Sequence, residues 1–486
     1  MKKAVSRRDF IKGAAVVAAS GLLAGCGGGD APSSSSTASN IPGNSSGANG
    51  SSSNSSSGSA SEASSGIADD GIKWKYTKTS ANTATLKGVD PSSGIRPTGK
   101  VTLPSKVDGY TITTVGNSAF KENMEITGII FPDTVVEVEA YAFSGCKRLV
   151  YVQFSKNLAE MGKEAFRGDA ITELIFPQKQ VTLGDEVFEE NEQLERVEFQ
   201  GKVNLGNYDF GDCTALKTAV FSDDTEFLRA GTFFGCANLV SVRLPKKLRF
   251  IGEFVFLDCE SLSDISIPEG VENVEEKSFW GCKALKAVTI PGKVKLIRQC
   301  AFRDCESLET VKIEDGVEGI CEWAFAECKS LKNITIPNSV SEIDNAAFLG
   351  CEALEEITIP SKVSNMVSRT FEGCKSLRTV NLQQGLNRVN GFEKCIALRK
   401  IVLPKGLTKV GADAFAGDTA MRCAYIPRTV VTIYENAFFN CTGLKDIYYE
   451  GSEANWKMID IEGTQEMLVN ATKHYNATPD ALNMVI

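Results

Sequence analysis

Fifteen cysteines and a single histidine are the side chains with which this chain would have to do metal, redox or nucleophilic chemistry. One histidine, His474, removes multi-histidine zinc sites and most Ser-His or Cys-His nucleophile pairs. It has no nucleophile nearby in sequence and is read as structural. Eleven of the cysteines recur at one place in a repeating pattern: Cys146, Cys213, Cys236, Cys259, Cys282, Cys305, Cys328, Cys351, Cys374, Cys395 and Cys441. The same place holds Asn123, Asp169, Asn191 and Asp418 in other units. A disulfide series would not tolerate that exchange. A slot that accepts Cys, Asn or Asp is an inward polar position that bonds to backbone at a turn. No Cys-x-x-Cys pair occurs, which weakens a zinc reading further. Cys300, Cys321 and Cys423 lie off this ladder, and Cys423, at an outward strand position, is expected to be the accessible thiol. Carboxylates fall in ladders, with no isolated pair for glycoside hydrolysis. The glycines after Cys26 neither follow a strand nor open a helix, so they form no phosphate loop. The expectation is a protein without catalytic residues, metal or cofactor, and not an enzyme.

The element that positions these residues is a repeat. Its pattern is Ile-x-x-x-Ala-Phe-x-x-Cys-x-x-Leu-x-x-Ile-x-Ile-Pro, and its fifteen phenylalanines run from Phe120 to Phe438, mostly 23 residues apart. In Leu331-x-x-Ile334-x-Ile336-Pro337 the alternation predicts a short strand with one buried face. Pro337 ends it, having no N–H for the next ladder bond. Val340 and Ile343 point inward again, and Ala347-Phe348 opens a tight turn with the ring inside. No unit can bury its own apolar face, but stacked units share a continuous core. The 42% hydrophobic content can supply one.

The first residues are a processing address rather than part of the fold. Lys2 and Lys3 open a basic region, Ser6-Arg7-Arg8-Asp9-Phe10-Ile11-Lys12 follows, and then the apolar run Ala14 to Ala24, too short to span a bilayer as a helix. The Arg7-Arg8 pattern resembles a twin-arginine export signal. Leu23-Ala24-Gly25-Cys26 resembles a bacterial lipobox, in which Cys26 would carry the lipid. A two-chain lipid anchors stably where a single chain is marginal. The Ser- and Gly-rich stretch that follows has nothing to bury and reads as a tether with a root-mean-square reach of roughly 35 Å. The net charge of −9 argues against nucleic acid as a partner.

On the repeat pattern, the chain resembles the BspA-like, or Treponema-type, leucine-rich repeats of bacterial surface proteins. Ile72-Lys73-Trp74-Lys75-Tyr76 and Lys106-Val107-Asp108-Gly109-Tyr110 look like that family's N-terminal cap. Tyr448-Tyr449-Glu450-Gly451-Ser452, Trp456 and His474-Tyr475-Asn476 look like its C-terminal cap. Caps are also required physically, because open solenoid ends expose apolar surface and strand edges. The expected fold is a leucine-rich-repeat solenoid of about fifteen coils of about 23 residues, with short parallel strands and tight helical turns, capped at both ends. The expected organisation is a signal peptide over 1–25, anchor and tether over 26–66, an N-terminal cap over 67–116, the solenoid over 117–447 and a C-terminal cap over 448–486. The expectation from the leader is a protein that is exported, held to the cell membrane by its lipid and exposed at the surface, and a monomer is expected; the family resemblance implies adhesion. There it would bind extracellular proteins or a cell-surface ligand in adhesion; a structural envelope protein binding cell-wall components is the alternative.

Two surface candidates emerge from the stacked columns. Four residues after the Phe the column reads Lys283, Glu306, Lys329, Glu352, Lys375; seven after, it reads Lys286, Glu309, Lys332, Glu355, Arg378. Facing charges on neighbouring coils alternate, which is inter-coil stabilisation worth a few tenths of a kcal/mol per pair. The alternation then breaks: Arg378, Arg399, Arg422 and Lys445 are all positive. Two columns over lie Val402, Tyr425 and Tyr448. Arginine beside tyrosine is hot-spot composition for a partner protein. The second candidate is Phe234, Leu257 and Trp280, directly after the Phe, expected as an exposed apolar ridge. Trp74 and Trp456 are expected to close the two ends.

Overall fold

The computed structural model describes residues 64–484, apart from 69, 70 and 95. Each coil contributes three hydrogen-bonded sides. The first is the strand expected from the Leu-x-x-Ile-x-Ile pattern, as in Ala287–Ile290, where Val288 and Ile290 are buried and Ala287 and Thr289 are exposed. It pairs in parallel with Thr310–Ile313, and that strand with Asn333–Thr335, each residue opposite its repeat equivalent. The second is a two-residue strand: Leu296–Ile297 pairs with Gly319–Ile320, and Gly319–Ile320 with Glu342–Ile343.

The third side is the turn carrying the phenylalanine, and it is not helical. Around Phe302, the N–H groups of Ala301, Arg303 and Cys305 bond back three residues to the carbonyls of Arg298, Cys300 and Phe302. Those of Cys300, Phe302 and Asp304 instead reach the carbonyls of Glu322, Ala324 and Ala326 on the next coil. The alternation requires left-handed backbone at Cys300 (φ 55°) and Asp304 (φ 57°). A helix would turn the N–H groups beyond its first turn inward along its own axis, away from the neighbouring coil. The expected helical turns are therefore replaced by a third inter-coil ladder. The left-handed position two residues after the Phe explains why Gly145, Gly235, Gly281 and Gly350 recur there, since glycine meets no Cβ penalty at positive φ.

Inside, the phenylalanines stack from coil to coil. Phe279, Phe302, Phe325 and Phe348 have successive ring centroids 4.9, 5.4 and 5.4 Å apart and planes within 6° of one another. The stack runs unbroken from Phe120 to Phe438. The cysteine slot is buried beside it. Cys328 Sγ donates to the carbonyl of Phe302 at 3.2 Å, and Cys305 Sγ to that of Phe279 at 3.2 Å. Asn191 fills the slot with the same bond, its Nδ2 lying 2.7 Å from the Phe166 carbonyl. Asp169 and Asp418 use a different bond, accepting the N–H of Cys146 and Cys395 at 2.7 Å. All fourteen cysteines from Cys146 to Cys441 are free thiols.

The ends are closed by other means. At the N-terminus Ser64–Ile67 and Lys73–Lys78 form an antiparallel pair, continued by Thr83–Val89. Residues 64–66, read as tether, thus belong to a strand. Trp74 is fully buried, edge-on to Phe120 at 6.3 Å. At the C-terminus the ladders run one turn further. Asp460–Ile461 pairs with Thr432–Ile433, and Thr472–Tyr475 with Asp446–Tyr449. In this last turn the helix Glu466–Asn470 stands where a phenylalanine turn would be, with Leu468 buried. Trp456 is only half-buried and meets Tyr449 edge-on at 5.2 Å.

Candidate binding face

In the middle of the solenoid the column four residues after the Phe is neutralised as the spacing predicts. Lys283 pairs with Glu260, Lys329 with Glu306 and Lys375 with Glu352, at 2.7, 3.3 and 2.8 Å. In the next column Lys332 meets Glu309 at 3.5 Å. A lysine on one coil repeatedly takes a glutamate on the coil before it. These pairs are exposed and each contributes little.

Towards the C-terminus the column seven residues after the Phe carries cations alone, at Arg378, Arg399, Arg422 and Lys445. The N–H of Arg422 donates to the carbonyl of Arg399 at 2.7 Å, and that of Lys445 to the carbonyl of Arg422 at 3.0 Å. Three cations are thereby held on consecutive coils, about 4.8 Å apart at the backbone. All three side chains are exposed, and among the described residues none has an ion pair. They line an open depression of about 650 Å³ together with Thr419, Ala420, Gly443 and Asp446. Its floor is backbone: a Cβ on Gly443 would fall 2.7 Å from the carbonyl oxygen of Thr419 and 2.9 Å from that of Met421. Asp446 Oδ1 is taken by His474 Nε2 at 2.8 Å, and the His474 ring stacks on Tyr448 at 4.6 Å. Arg378 is exposed but lies outside the depression.

The tyrosines do not join this face. Tyr425 is 1% exposed and packs with Cys423, Val402 and Tyr448. The segment Pro479–Met484 lies against Cys423–Ile426 and Asp446–Tyr449. Burial pushes the Tyr425 hydroxyl up to about 12, and its oxygen has no hydrogen-bond partner among the described residues. Tyr448 is half-buried with its ring occupied by His474. Cys423, expected to be accessible, is buried for the same reason.

The apolar ridge does not exist as an exposed feature. Phe234 and Leu257 are buried, with Phe234 edge-on to Tyr208 at 6.1 Å. Trp280 is half-buried; its Nε1 donates to Asp304 at 2.7 Å and the Arg303 guanidinium lies 5.1 Å from its ring. Arg303 also faces Trp323 at 5.6 Å, so these side chains pack on one another across the turns. Arg7, Arg8 and Cys26 lie outside the described residues.

Sequence columns found the three cations but missed Thr419, Ala420, Gly443 and Asp446. One signal was available. Gly443 stands where the preceding units carry Ser376, Ala397 and Ala420. Among the described residues no three His, Cys, Asp or Glu side chains converge as a metal site, and no helix is long and apolar enough to cross a membrane.

Compared with known sequences, the chain matches the BspA type leucine rich repeat region in overlapping segments that together run from residue 113 to residue 458. The chain belongs to the BspA-type leucine-rich-repeat family. Residues 4–24 match the twin-arginine translocation signal sequence, so the chain carries an export signal of that pathway. No curated protein matches it. Among solved structures, a leucine-rich repeat protein from Bacteroides ovatus is 22% identical with a TM-score of 0.56, over 83% of this chain and 98% of that one. A leucine-rich cell surface protein from Faecalibacterium prausnitzii is 23% identical with a TM-score of 0.35, over 80% of this chain and 97% of that one. The first of these likenesses supports the solenoid fold.

Proposed function

We propose that this BspA-type solenoid is a non-enzymatic surface adhesin, lipid-anchored through Cys26, that grips an extracellular macromolecule with its C-terminal basic face. The observation that carries the reading is the contrast between columns. Lys283, Lys329, Lys332 and Lys375 in the middle of the solenoid are each paired with a glutamate of the preceding coil, whereas Arg399, Arg422 and Lys445 stand exposed without ion pairs around one depression. A row of unpaired cations on an otherwise acidic chain is a directional binding surface, steering an acidic partner to one end of the molecule.

The test is charge reversal in the full chain. Arg399→Glu with Arg422→Glu is expected to lower binding to a panel of immobilised matrix glycoproteins, mucins and bacterial cell walls by roughly tenfold or more. The far-ultraviolet circular dichroism melt is expected to stay unchanged, because both side chains are exposed and unpaired. Binding that is indifferent to both reversals would remove this face as the adhesive one. Binding confined to cell walls would favour an envelope scaffold instead.

A further inference from the structure

We infer that the depression over Arg399, Arg422 and Lys445 takes an acidic polysaccharide, a sugar chain bearing carboxylate or sulfate groups, rather than an acidic segment of protein. The inference rests on the proposal that this C-terminal face is the binding face, and it names the ligand chemistry.

The charge comes first. Two guanidinium groups and an ammonium project from consecutive coils into one open space of about 650 Å³. That volume lies within the range of about 300–1,000 Å³ typical of sites for small ligands, so it accommodates a sugar unit or two. Guanidinium forks match the two oxygens of a carboxylate or sulfate, and lysine adds a point charge beside them. The one carboxylate in the lining, Asp446, is held by His474 through Oδ1.

The remaining lining selects between polymers. A protein partner is gripped by aromatic or aliphatic anchors in desolvated pockets. Among the described residues no such side chain lines this depression: besides the charges it holds Thr419, Ala420 and Gly443. Ile396 is exposed one coil back in the column of Thr419 but stands outside the lining. Tyr425, which would have offered an anchor, is buried beneath Pro479–Met484, and the ring of Tyr448 is occupied by His474. What the site does offer is hydrogen-bonding capacity for hydroxyls. The exposed Thr419 hydroxyl donates and accepts, and Asp446 Oδ2 has no hydrogen bond or ion pair among the described residues. Cations for the acid groups and acceptors for hydroxyls, with no apolar anchor, suit a hydroxyl-rich polyanion.

The experiment uses the full chain immobilised on a biosensor, with four soluble probes of similar length. These are a polygalacturonate oligomer (carboxylate), a heparin fragment (sulfate), neutral dextran and polyglutamate. One or both acidic sugars are expected to bind saturably and more weakly as salt rises, and which of them binds identifies the acid group. Dextran is expected not to bind, and polyglutamate to bind at least tenfold more weakly than the better sugar. Arg422→Glu and Lys445→Glu are each expected to reduce sugar binding roughly tenfold. Lys332→Glu, a reversal of a paired central lysine, is expected to leave it unchanged. Polyglutamate binding as tightly as the sugars, dextran binding equally well, no sugar binding at all, or sugar binding that survives Arg422→Glu would each overturn the inference. The two readings fail separately. Panel binding lost in the Arg399→Glu/Arg422→Glu chain while no sugar binds keeps the face and discards the sugar. Sugar binding lost in that chain while panel binding persists keeps the sugar site and discards the face as the adhesive surface.

Discussion

Thiol reactivity tests the slot reading most directly, because a row of redox or metal-binding cysteines and a row of turn-bonding ones behave oppositely. Take the full chain with Cys26→Ser, leaving the fourteen cysteines from Cys146 onward. An unperturbed thiol with a pKa of about 8.5 is roughly one-quarter thiolate at pH 8. Burial raises Cys321, the one half-buried thiol among them, to about 11, so about one molecule in a thousand carries that thiolate. Its modification is therefore expected to run roughly 200-fold slower than that of a free cysteine. Cys146 is pushed up to about 12 by burial, about a further tenfold. Ladder thiols such as Cys282 and Cys351 are raised well above the usual range, again chiefly by burial. Cys300 and Cys423 are also raised by burial and are closed off sterically. Reaction with a chromogenic disulfide at pH 8 is expected to show one slow thiol in the native protein, mapped by peptide mass to Cys321. All fourteen are expected to react once guanidinium unfolds the chain. Two or more thiols reacting within seconds in the native state would refute the reasoning. So would fewer than fourteen in the unfolded state without reductant, which would mean that disulfides or tightly held metal had occupied the slots.

Phe302→Ala removes a ring stacked between Phe279 and Phe325 at 4.9 and 5.4 Å and is expected to cost about 3–5 kcal/mol by denaturant unfolding. Phe438→Ala, stacked on one ring only, is expected to cost less, and equal losses would argue against stacking as a nearest-neighbour term. Glu393 is buried, and that burial raises its carboxyl to about 7 from an ordinary 4.5. Its raised value means that the protonated acid is the form the fold favours. The associated stability is therefore present in full below about pH 4.5 and is lost as pH rises to about 7, by up to about 3 kcal/mol. Glu393→Gln is expected to flatten this part of the pH–stability profile and to raise the melting temperature at pH 8, and a profile as steep as the parent's would show that the carboxyl is not the source.

Much of the molecule is decided by periodicity. A spacing of 23 residues with Phe, Cys and alternating aliphatics settles which side chains point inward, because only one register buries all of them in every coil. It also specifies which residues face one another on neighbouring coils, so the ion pairs Lys329–Glu306 and Lys375–Glu352, and the stacking of Arg399, Arg422 and Lys445, follow from counting. The exchange of Cys for Asn or Asp marks the slot as one that serves backbone, as Cys328 and Asn191 both do. Column counting carries no information on what lies over an outward position. Tyr425 and Cys423 are outward in the repeat yet buried, because Pro479–Met484 returns across them from far along the chain. Phe234 and Leu257 are outward too, but neighbouring turns pack against them. Periodicity shows one of the two left-handed positions of each turn, through the glycines that recur two residues after the Phe, but not the other, since Cys300, Trp323 and Arg369, two residues before it, share no side-chain property that would announce it. The sequence by itself determined the solenoid, its core and its columns, because those depend on local period. Only the tertiary structure decided which columns reach solvent and that three of the cations enclose a depression with Asp446, because cover and concavity arise from segments that the period does not relate.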